Sequence, residues 1–262
     1  MAESILQPVH VWLNVINALL LRDIRTRAGR FYTGYLILFL MPFAHLGVAL
    51  IAFVYIFRRP PPVGTDSTLF FGLSILPFVI FTYPARQIII SLLANRPLLY
   101  FSRVKIIDII IARGLLEAAN AMAVSGAVLF VVSVLSTEFA PRDPLGMLCA
   151  LLLAVYLGMA WGAYHSLFVL IFPFWAVAVN LMTPVLWIGS GIIINVHGFP
   201  SEIRHWFAFN PLFQCVEYIR SSYYEGYPDE FMDVGYVFWF ATIMLAACFF
   251  LERLLRRKLL SH

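Results

Sequence analysis

The sequence predicts an all-α integral membrane protein with six transmembrane helices, an N-terminal amphipathic interface helix and re-entrant external helices between spans 5 and 6. Composition gives the class: 62% of residues are hydrophobic and 12% are charged, whereas a soluble domain carries about 25% charged residues. Residues 31–57 and 145–196 contain no Asp, Glu, Lys or Arg. Crossing the hydrocarbon core takes roughly 20 apolar residues, and a helix satisfies its own backbone inside lipid.

Residues 1–30 are predicted to form a cytoplasmic amphipathic helix followed by a basic arm. His10, Asn14 and Asn17 recur at helical spacing in an otherwise apolar stretch. This polar stripe favours a helix that lies in the interface over one that spans the membrane. No cation precedes the stretch, so we expect no cleavable signal peptide. The arm that closes it contains four arginines: Arg22, Arg25, Arg27 and Arg30.

Residues 31–262 are predicted to form the six-span domain. The spans are placed at residues 31–57, 69–93, a stretch ending near 135, two stretches within 145–196, and 235–251. Within the fourth and fifth spans, the FPFW sequence at 172–175 is the predicted hinge, because Pro173 breaks a helix. The external segment of about 197–230 is too apolar for a simple loop, and it places Glu217 and Arg220 at helical spacing. We expect it to form re-entrant or interface-lying helices.

The distribution of Lys and Arg predicts that both termini are cytoplasmic. The N-terminal arm, the connection between spans 2 and 3 and the C-terminal tail each hold four cations, twelve in all, and the opposite face holds five. Cytoplasmic loops carry the excess of Lys and Arg.

The chain carries no catalytic or metal-binding motif. His45 and His165 have no carboxylate near them in sequence, and the three cysteines show no metal-ligand spacing. Lys105 and Lys258, the two lysines, follow Val and Arg, so neither belongs to a phosphate-binding P-loop. We therefore expect no catalytic residue, metal or cofactor in this chain, and no nucleic-acid partner. Any pumping would take its energy from an ion gradient or from a second polypeptide.

The cytoplasmic connection at residues 94–120 is long and amphipathic. Its sequence RPLLYFSRVKIID mixes apolar and charged residues, which suits docking onto a partner protein, although a helix resting on lipid headgroups would look the same. Within it, Lys105 and Asp108 (i, i+3) and Arg113 and Glu117 (i, i+4) are expected to pair along the helix.

Three motifs in this order resemble the membrane subunit of type-2 ABC exporters: LRDIRTRAGR at 21–30, NRPLLYFSRVKIIDIIIARGLLE at 95–117 and FNPLFQCVEYIRSSYYEGY at 209–227. The chain is most similar to the KpsM-type permeases of bacterial capsular polysaccharide export, and O-antigen exporter permeases look similar. The resemblance implies a homodimer around a central conduit in the inner membrane. It also implies two cytoplasmic ATPase subunits, which bind ATP and Mg²⁺, and periplasmic adaptor and outer-membrane proteins that continue the path.

The resemblance further implies a lipid-linked acidic capsular polysaccharide as cargo and a coupling helix at about residues 96–108. The residues that we expect to contact the ATPase are Arg96, Pro97, Leu98, Tyr100, Arg103 and Lys105. The same architecture could export O-antigen, teichoic acid or a drug, and a membrane enzyme of glycan assembly is a further alternative.

Two groups of side chains have two interpretations each. The basic group is expected to bind the anionic cargo at the cytoplasmic mouth; it comprises Arg22, Arg25, Arg27, Arg30 and Arg86. The alternative for the four N-terminal arginines is that they fix orientation and touch anionic lipid, and the alternative for Arg86 is that it snorkels to the interface. The aromatic group either lines the conduit or forms interfacial belts and helix packing; it comprises Tyr32, Tyr35, Trp161, Trp175 and Trp187.

Overall fold

The structure is a computed structural model that describes residues 2–28, 33–136, 139–194 and 196–261. The described residues form ten α-helices joined by shorter helical turns, and they contain no strand. The α-helices are α1 (Ala2–Ala28), α2 (Thr33–Leu50), α3 (Ser67–Ile89), α4 (Ser91–Ala94), α5 (Ile106–Leu135), α6 (Pro144–Ile171), α7 (Trp175–Ile188), α8 (Ser201–Ala208), α9 (Pro211–Tyr223) and α10 (Val234–Ser261). A π-helical segment (Ile51–Ile56) extends α2, and 3₁₀ turns cover Arg96–Tyr100 and Val196–Gly198.

Four helical stretches are long and apolar enough to cross a membrane. They are Ser67–Ala94, Ile106–Leu135, Pro144–Ile171 and Val234–Leu254, and shorter apolar helices cover Leu40–Ile56 and Trp175–Ile188. The predicted break between the fourth and fifth spans is confirmed, since α6 ends at Ile171 and α7 begins at Trp175. The proline between them cannot continue a helix.

Helix α3 is the centre of the bundle and packs against α6, α5, α9 and α2. Two glycines of α6 let it approach α3 closely. A methyl group on Gly158 would lie 2.6 Å from the carbonyl oxygen of Phe81, and one on Gly162 would lie 2.7 Å from Cβ of Ile88. Small residues four apart allow such close backbone packing in membrane helices, so the GxxxG at 158–162 fixes the α3–α6 contact.

The N-terminal helix α1 packs along the start of α5. Its Ile16 and Leu19 are buried in one cluster with Ile106, Ile109 and Ile110. The helix runs from Ala2 to Ala28, and other apolar side chains on it remain exposed, among them Val9, Leu13 and Leu21.

The first half of α5 corrects the expectation that residues 94–120 are a connection outside the spans. A single helix runs from Ile106 to Leu135, and Asp108, Arg113 and Glu117 within it are almost fully buried. A charged residue is tolerated at such a position when protein groups pair with it, and α1 and α3 supply those groups.

The external segment contains the predicted pair of helices, α8 and α9. Helix α9 packs against α6, α3 and α10, with Leu212, Phe213 and Val216 fully buried. Asn210 begins this helix by accepting a hydrogen bond at Oδ1 from the backbone N–H of Leu212 (3.0 Å).

Candidate functional site

The short segment between α4 and α5 differs from the predicted continuous helix over residues 96–108. Residues Arg96–Tyr100 form a 3₁₀ turn, Phe101 and Lys105 have extended backbone, and α5 begins only at Ile106. Asp108 causes this start, because its Oδ2 accepts a hydrogen bond from the backbone N–H of Lys105 (2.9 Å). A carboxylate in the first turn of a helix satisfies an orphan N–H in this way. We call residues 96–105 the docking segment.

The docking segment places aromatic and cationic side chains outward. Tyr100 is 87% exposed and Phe101 is 63% exposed. Pro97, Arg103 and Lys105 are also exposed, and Arg96 is half-buried. The other apolar side chains of the segment face inward and pack against the cluster beneath α1; they are Leu98, Leu99 and Val104. An exposed aromatic pair beside cations is the composition of a protein-binding surface.

Helix α1 is hydrogen-bonded to both ends of the docking segment. Arg22 donates from Nη1 to Oδ1 of Asn95, directly before the segment (2.7 Å). Trp12 donates from Nε1 to Oδ1 of Asp108, in the first turn of α5 that follows the segment (3.0 Å). The carboxylate of Asp108 is thus held by Trp12 and by the backbone of Lys105, in place of the predicted side-chain pair with Lys105.

A second contact between α1 and α5 is a buried ion pair. Arg113 donates from Nη1 to Oδ2 of Asp23 on α1 (2.8 Å) and from Nη2 to Oε1 of Gln87 on α3 (2.9 Å). The predicted pair with Glu117 is also present, with Nε of Arg113 3.4 Å from Oε1 of Glu117. We call Arg113, Asp23, Gln87 and Glu117 the cytoplasmic network. Sequence reasoning missed Asp23, although an acid among four arginines was a visible signal.

A cleft of about 420 Å³ lies between α2, α3 and α5, directly beside the cytoplasmic network. Gln87 and Glu117 belong to both. The cleft is otherwise lined mainly by apolar side chains, with Arg86, Tyr83 and Asn120 as its other polar residues. Arg86 is exposed.

The three predicted arginines whose side chains the structure describes do not lie together in one group. Arg22 binds Asn95 and is half-buried, and Arg25 is exposed on α1. Arg86 lines the cleft. The side chains of Arg27 and Arg30 lie outside the described residues, so a shared anion site stays a prediction.

The predicted aromatic residues that the structure describes also lie in separate places. Trp175 donates from Nε1 to Nδ1 of His165 (3.1 Å), and the ring of Trp161 contacts the same imidazole in a tilted arrangement, with 4.7 Å between ring centroids. Trp187 packs against Phe53 and Phe78. Helix packing therefore accounts for Trp161 and Trp187 within one chain, and their conduit role stays a prediction. The side chains of Tyr32 and Tyr35 lie outside the described residues.

A second buried arginine joins the outer ends of several helices. Arg220 on α9 is 2% exposed and donates from Nε to Oγ of Ser74 on α3 (2.8 Å). Its Nη2 donates to the carbonyl oxygens of Gly191 and Ile192, just after α7 (3.0 and 3.1 Å). The guanidinium also lies 4.5 Å above the ring of Phe70, a favourable cation–π contact.

Glu217 completes this outer arrangement. Its Oε1 accepts hydrogen bonds from Nη1 of Arg220 (3.0 Å) and from the hydroxyl of Tyr227 (2.9 Å), and its Oε2 lies 2.8 Å from Nε2 of His197. Burial raises the pKa of the Tyr227 hydroxyl well above its ordinary value, so Tyr227 acts as a neutral donor. We call Arg220, Glu217, Ser74, His197 and Tyr227 the external network. Its signal in the sequence was the opposite charges at 217 and 220 in an otherwise apolar segment.

The cysteines and acidic residues that the structure describes form neither a disulfide nor a metal site. Cys215 and Cys248 are buried and Cys149 is exposed, all three without a disulfide. Among the described residues, no three His, Cys, Asp or Glu side chains are grouped so that they could hold a metal ion.

The proteins to which the chain is similar include one transport protein and two inner-membrane export proteins, whereas no family model matches it. It is 30% identical over 230 residues to the polysialic acid transport protein KpsM of Escherichia coli, covering 88% of this chain and 89% of that protein. It is 29% identical over 247 residues to the capsule polysaccharide export inner-membrane protein CtrC of Neisseria meningitidis serogroup A, covering 92% and 91%. It is 29% identical over 228 residues to BexB of Haemophilus influenzae, which has the same description, covering 85% and 84%. With this similarity along nearly the whole of both chains and several apolar helices long enough to cross a membrane, the chain belongs to the family of capsule polysaccharide export inner-membrane proteins.

Proposed function

We propose that this chain is the transmembrane subunit of an ATP-driven exporter that moves lipid-linked acidic capsular polysaccharide across the inner membrane. The observation that carries the proposal is the similarity to KpsM, CtrC and BexB over 84% or more of each protein. All three relatives are named for transport or export, which favours a permease over an enzyme of glycan assembly. An acidic polymer suits a chain whose cytoplasmic side carries the excess of arginine.

A separate ATPase subunit is the proposed energy source, and the docking segment is its proposed contact. Tyr100 and Phe101 are exposed there beside Arg103 and Lys105. The segment is bound to α1 through Asn95 and continues directly into α5. A push on the docking segment would therefore move α1 and α5 together.

The proposed topology has six spans, with α2 and α7 added to the four long ones. Helix α7 has 14 residues and is about 21 Å long at 1.5 Å per residue, less than the roughly 30 Å of the hydrocarbon core. We place α8 and α9 as re-entrant helices that complete the outer half of this region, with both termini in the cytoplasm.

A second copy of the chain is the proposed neighbour of α2 and α7. Leu181 and Val185 on one face of α7 are 70% and 69% exposed, and Val48 and Ile56 along α2 are each 68% exposed. Helix α7 contacts chiefly α6 and α3, which leaves this face open. Pairing through α2 and α7 would place the conduit between the two copies.

Deleting the gene and fractionating the cells tests the proposed function. We expect lipid-linked polysaccharide to accumulate in the cytoplasm and the cell surface to be bare, with recovery when the intact gene is supplied in trans. Absence of polymer from every fraction, with its synthetic enzymes still active in extracts, would favour a role in synthesis. An unchanged capsule would show that the proposed cargo is wrong.

A further inference from the structure

We infer that the cleft between α2, α3 and α5 binds one glycerophospholipid of the inner leaflet, with its phosphodiester at Arg86 and a hydrogen-bond-donating head group toward Asn120 and Glu117. The inference rests on the membrane location of the chain and on the proposed topology, and it does not depend on the proposed cargo.

The first observation behind the inference is that the guanidinium of Arg86 is available to bind an anion. Arg86 lies within the apolar stretch Ser67–Ala94, and it has no hydrogen bond or ion pair with any side chain that the structure describes. An arginine at membrane depth is costly unless an anion or water reaches it. A guanidinium can bind a phosphate with two parallel hydrogen bonds, and phosphates are abundant at this depth of the membrane.

The position of the cleft along the bundle matches the depth at which phospholipid head groups lie in the membrane. Helix α1 is the predicted interface helix, and its Asp23 pairs with Arg113, which also donates to Gln87, the neighbour of Arg86. Asn120 lies seven residues further along α5, about 10 Å at 1.5 Å per residue. The cleft therefore begins at the level of the interfacial helix and extends toward the hydrocarbon core.

The residues that line the cleft suit the acyl chain and the head group of a phospholipid. Val79, Ile80 and Val124 form an apolar wall suited to an acyl chain. Glu117 is nearly fully buried and already pairs with Arg113. Because Asp23 and Glu117 together offset the charges of Arg113 and Arg86, the site does not select for a net anion. It selects for a phosphate accompanied by a donor, such as a glycerol or sugar hydroxyl or an ammonium group.

Native mass spectrometry tests the inference. The full-length protein is delipidated in detergent and then incubated with one lipid at a time. We expect about one molecule of phosphatidylglycerol or phosphatidylethanolamine to be retained per chain, and phosphatidylcholine, whose head group has no donor, to be retained about tenfold less. Arg86→Gln should weaken retention of the first two lipids by about tenfold, as expected for loss of a charged hydrogen-bonded pair. Arg142→Gln, which changes an exposed arginine of the external turn, is the control and should have no effect.

A second pair of variants separates a cleft from a freely exposed arginine. Met41 lines the cleft and is exposed at its rim, so Met41→Trp should block lipid entry without disturbing the core. Val134→Trp places the same bulk on an exposed position of α5 outside the cleft and should retain lipid as the wild type does. Equal retention of all three lipids by wild type, Arg86→Gln and Met41→Trp would overturn the inference.

Competition with the purified lipid-linked polysaccharide identifies the source of the lipid. If the polymer displaces phosphatidylglycerol from the wild type and Met41→Trp abolishes its binding, the cleft holds the lipid end of the cargo. If phosphatidylglycerol stays bound, the cleft holds a resident membrane lipid. Both results support a lipid site, and neither requires that export be measured.

Discussion

Arg113 and Arg220 are both buried arginines that pair with a glutamate on their own helix, yet their surroundings differ. Arg220 is bound to elements of the packed core: Ser74 of α3 and two carbonyl oxygens after α7, with Tyr227 and His197 holding the partner glutamate. Arg113 joins α5 to α1 and α3, and two of its partners line a cleft.

The difference indicates two uses of the same side chain. In the external network the hydrogen bonds of Arg220 join α9 to α3 and to the residues after α7. These elements belong to the packed core, so the network holds the end of α7 and α9 in one arrangement. In the cytoplasmic network the contacts join the bundle to α1, which also contacts Asn95 and Asp108 at the two ends of the docking segment. We expect changes in the external network to cause the larger loss of stability, and changes in the cytoplasmic network to reduce export with a smaller loss of stability.

Arg220→Met is expected to give the largest loss of stability. Removing one member of a buried ion pair costs about 3–5 kcal/mol. In this variant Glu217 keeps only Tyr227 and His197, and the carbonyl oxygens of Gly191 and Ile192 lose their donor. Unfolding of the purified protein by a denaturing detergent measures this. Arg204→Met is the control, because Arg204 pairs with the exposed Glu230 at 3.4 Å and such a pair contributes about 1 kcal/mol or less.

A double variant tests whether the charges of Arg220 and Glu217 are energetically coupled. Arg220→Met combined with Glu217→Gln removes both charges, and we expect it to be more stable than Arg220→Met alone. If the double variant were less stable by the sum of the two single losses, the two charges would not be coupled, and the comparison with Arg113 would lose its basis.

Asp23→Asn is expected to give a smaller loss of stability and a larger loss of export. Arg113 keeps Gln87 and Glu117 in this variant, so we expect about 2 kcal/mol, in the range for a hydrogen bond to a charged group. The link between α1 and α5 is nevertheless weakened, so surface polysaccharide should fall several-fold at an unchanged amount of membrane-inserted protein. Asp229→Asn, in an exposed external turn, is the control. Normal surface polysaccharide in Asp23→Asn would show that this ion pair is structural, as in the external network.

Trp12→Phe is expected to have a still smaller effect, confined to α1. The change removes the indole N–H that binds Asp108 and keeps an aromatic ring, so we expect about 1 kcal/mol, since the backbone of Lys105 still binds the carboxylate. Hydrogen exchange should become faster in α1 and unchanged in α9. Trp239→Phe, on an exposed position of α10, should change neither helix.

The sequence predicted the features that depend on local chemistry. Pro173 and its neighbours marked the break between α6 and α7, and Arg113 and Glu117 were expected to pair because four residues separate them on one helix. The GxxxG at 158–162 was a further local signal that sequence reasoning did not use, and it places α6 against α3.

Features that depend on distant partners were not predictable in the same way. Asp108, Arg113 and Glu117 read as too polar for a span, because their partners Trp12 and Asp23 lie about ninety residues earlier in the chain. Ser74 has nothing in its local sequence to mark it as the partner of Arg220. The start of α5 was misplaced because Asp108 reaches back to the backbone of Lys105, and residue spacing alone does not distinguish that contact from a side-chain pair.

The double variant Tyr100→Ala, Phe101→Ala is expected to have the smallest effect on stability. Both side chains are exposed, and surface changes of this kind usually alter the free energy of unfolding by about 0.5 kcal/mol or less. Exposed aromatic residues commonly dominate the affinity of a protein interface, so we expect the ATPase subunit to stop co-purifying with this variant. The matched control is Trp206→Ala, Phe209→Ala, which removes two exposed aromatics from the external side and should leave ATPase binding intact. Loss of binding in both double variants would indicate a general defect. Retained binding in Tyr100→Ala, Phe101→Ala would move the ATPase contact away from the docking segment, and the link from that segment through Asn95 and α1 to Arg113 would then have no role in transmitting ATP-driven motion.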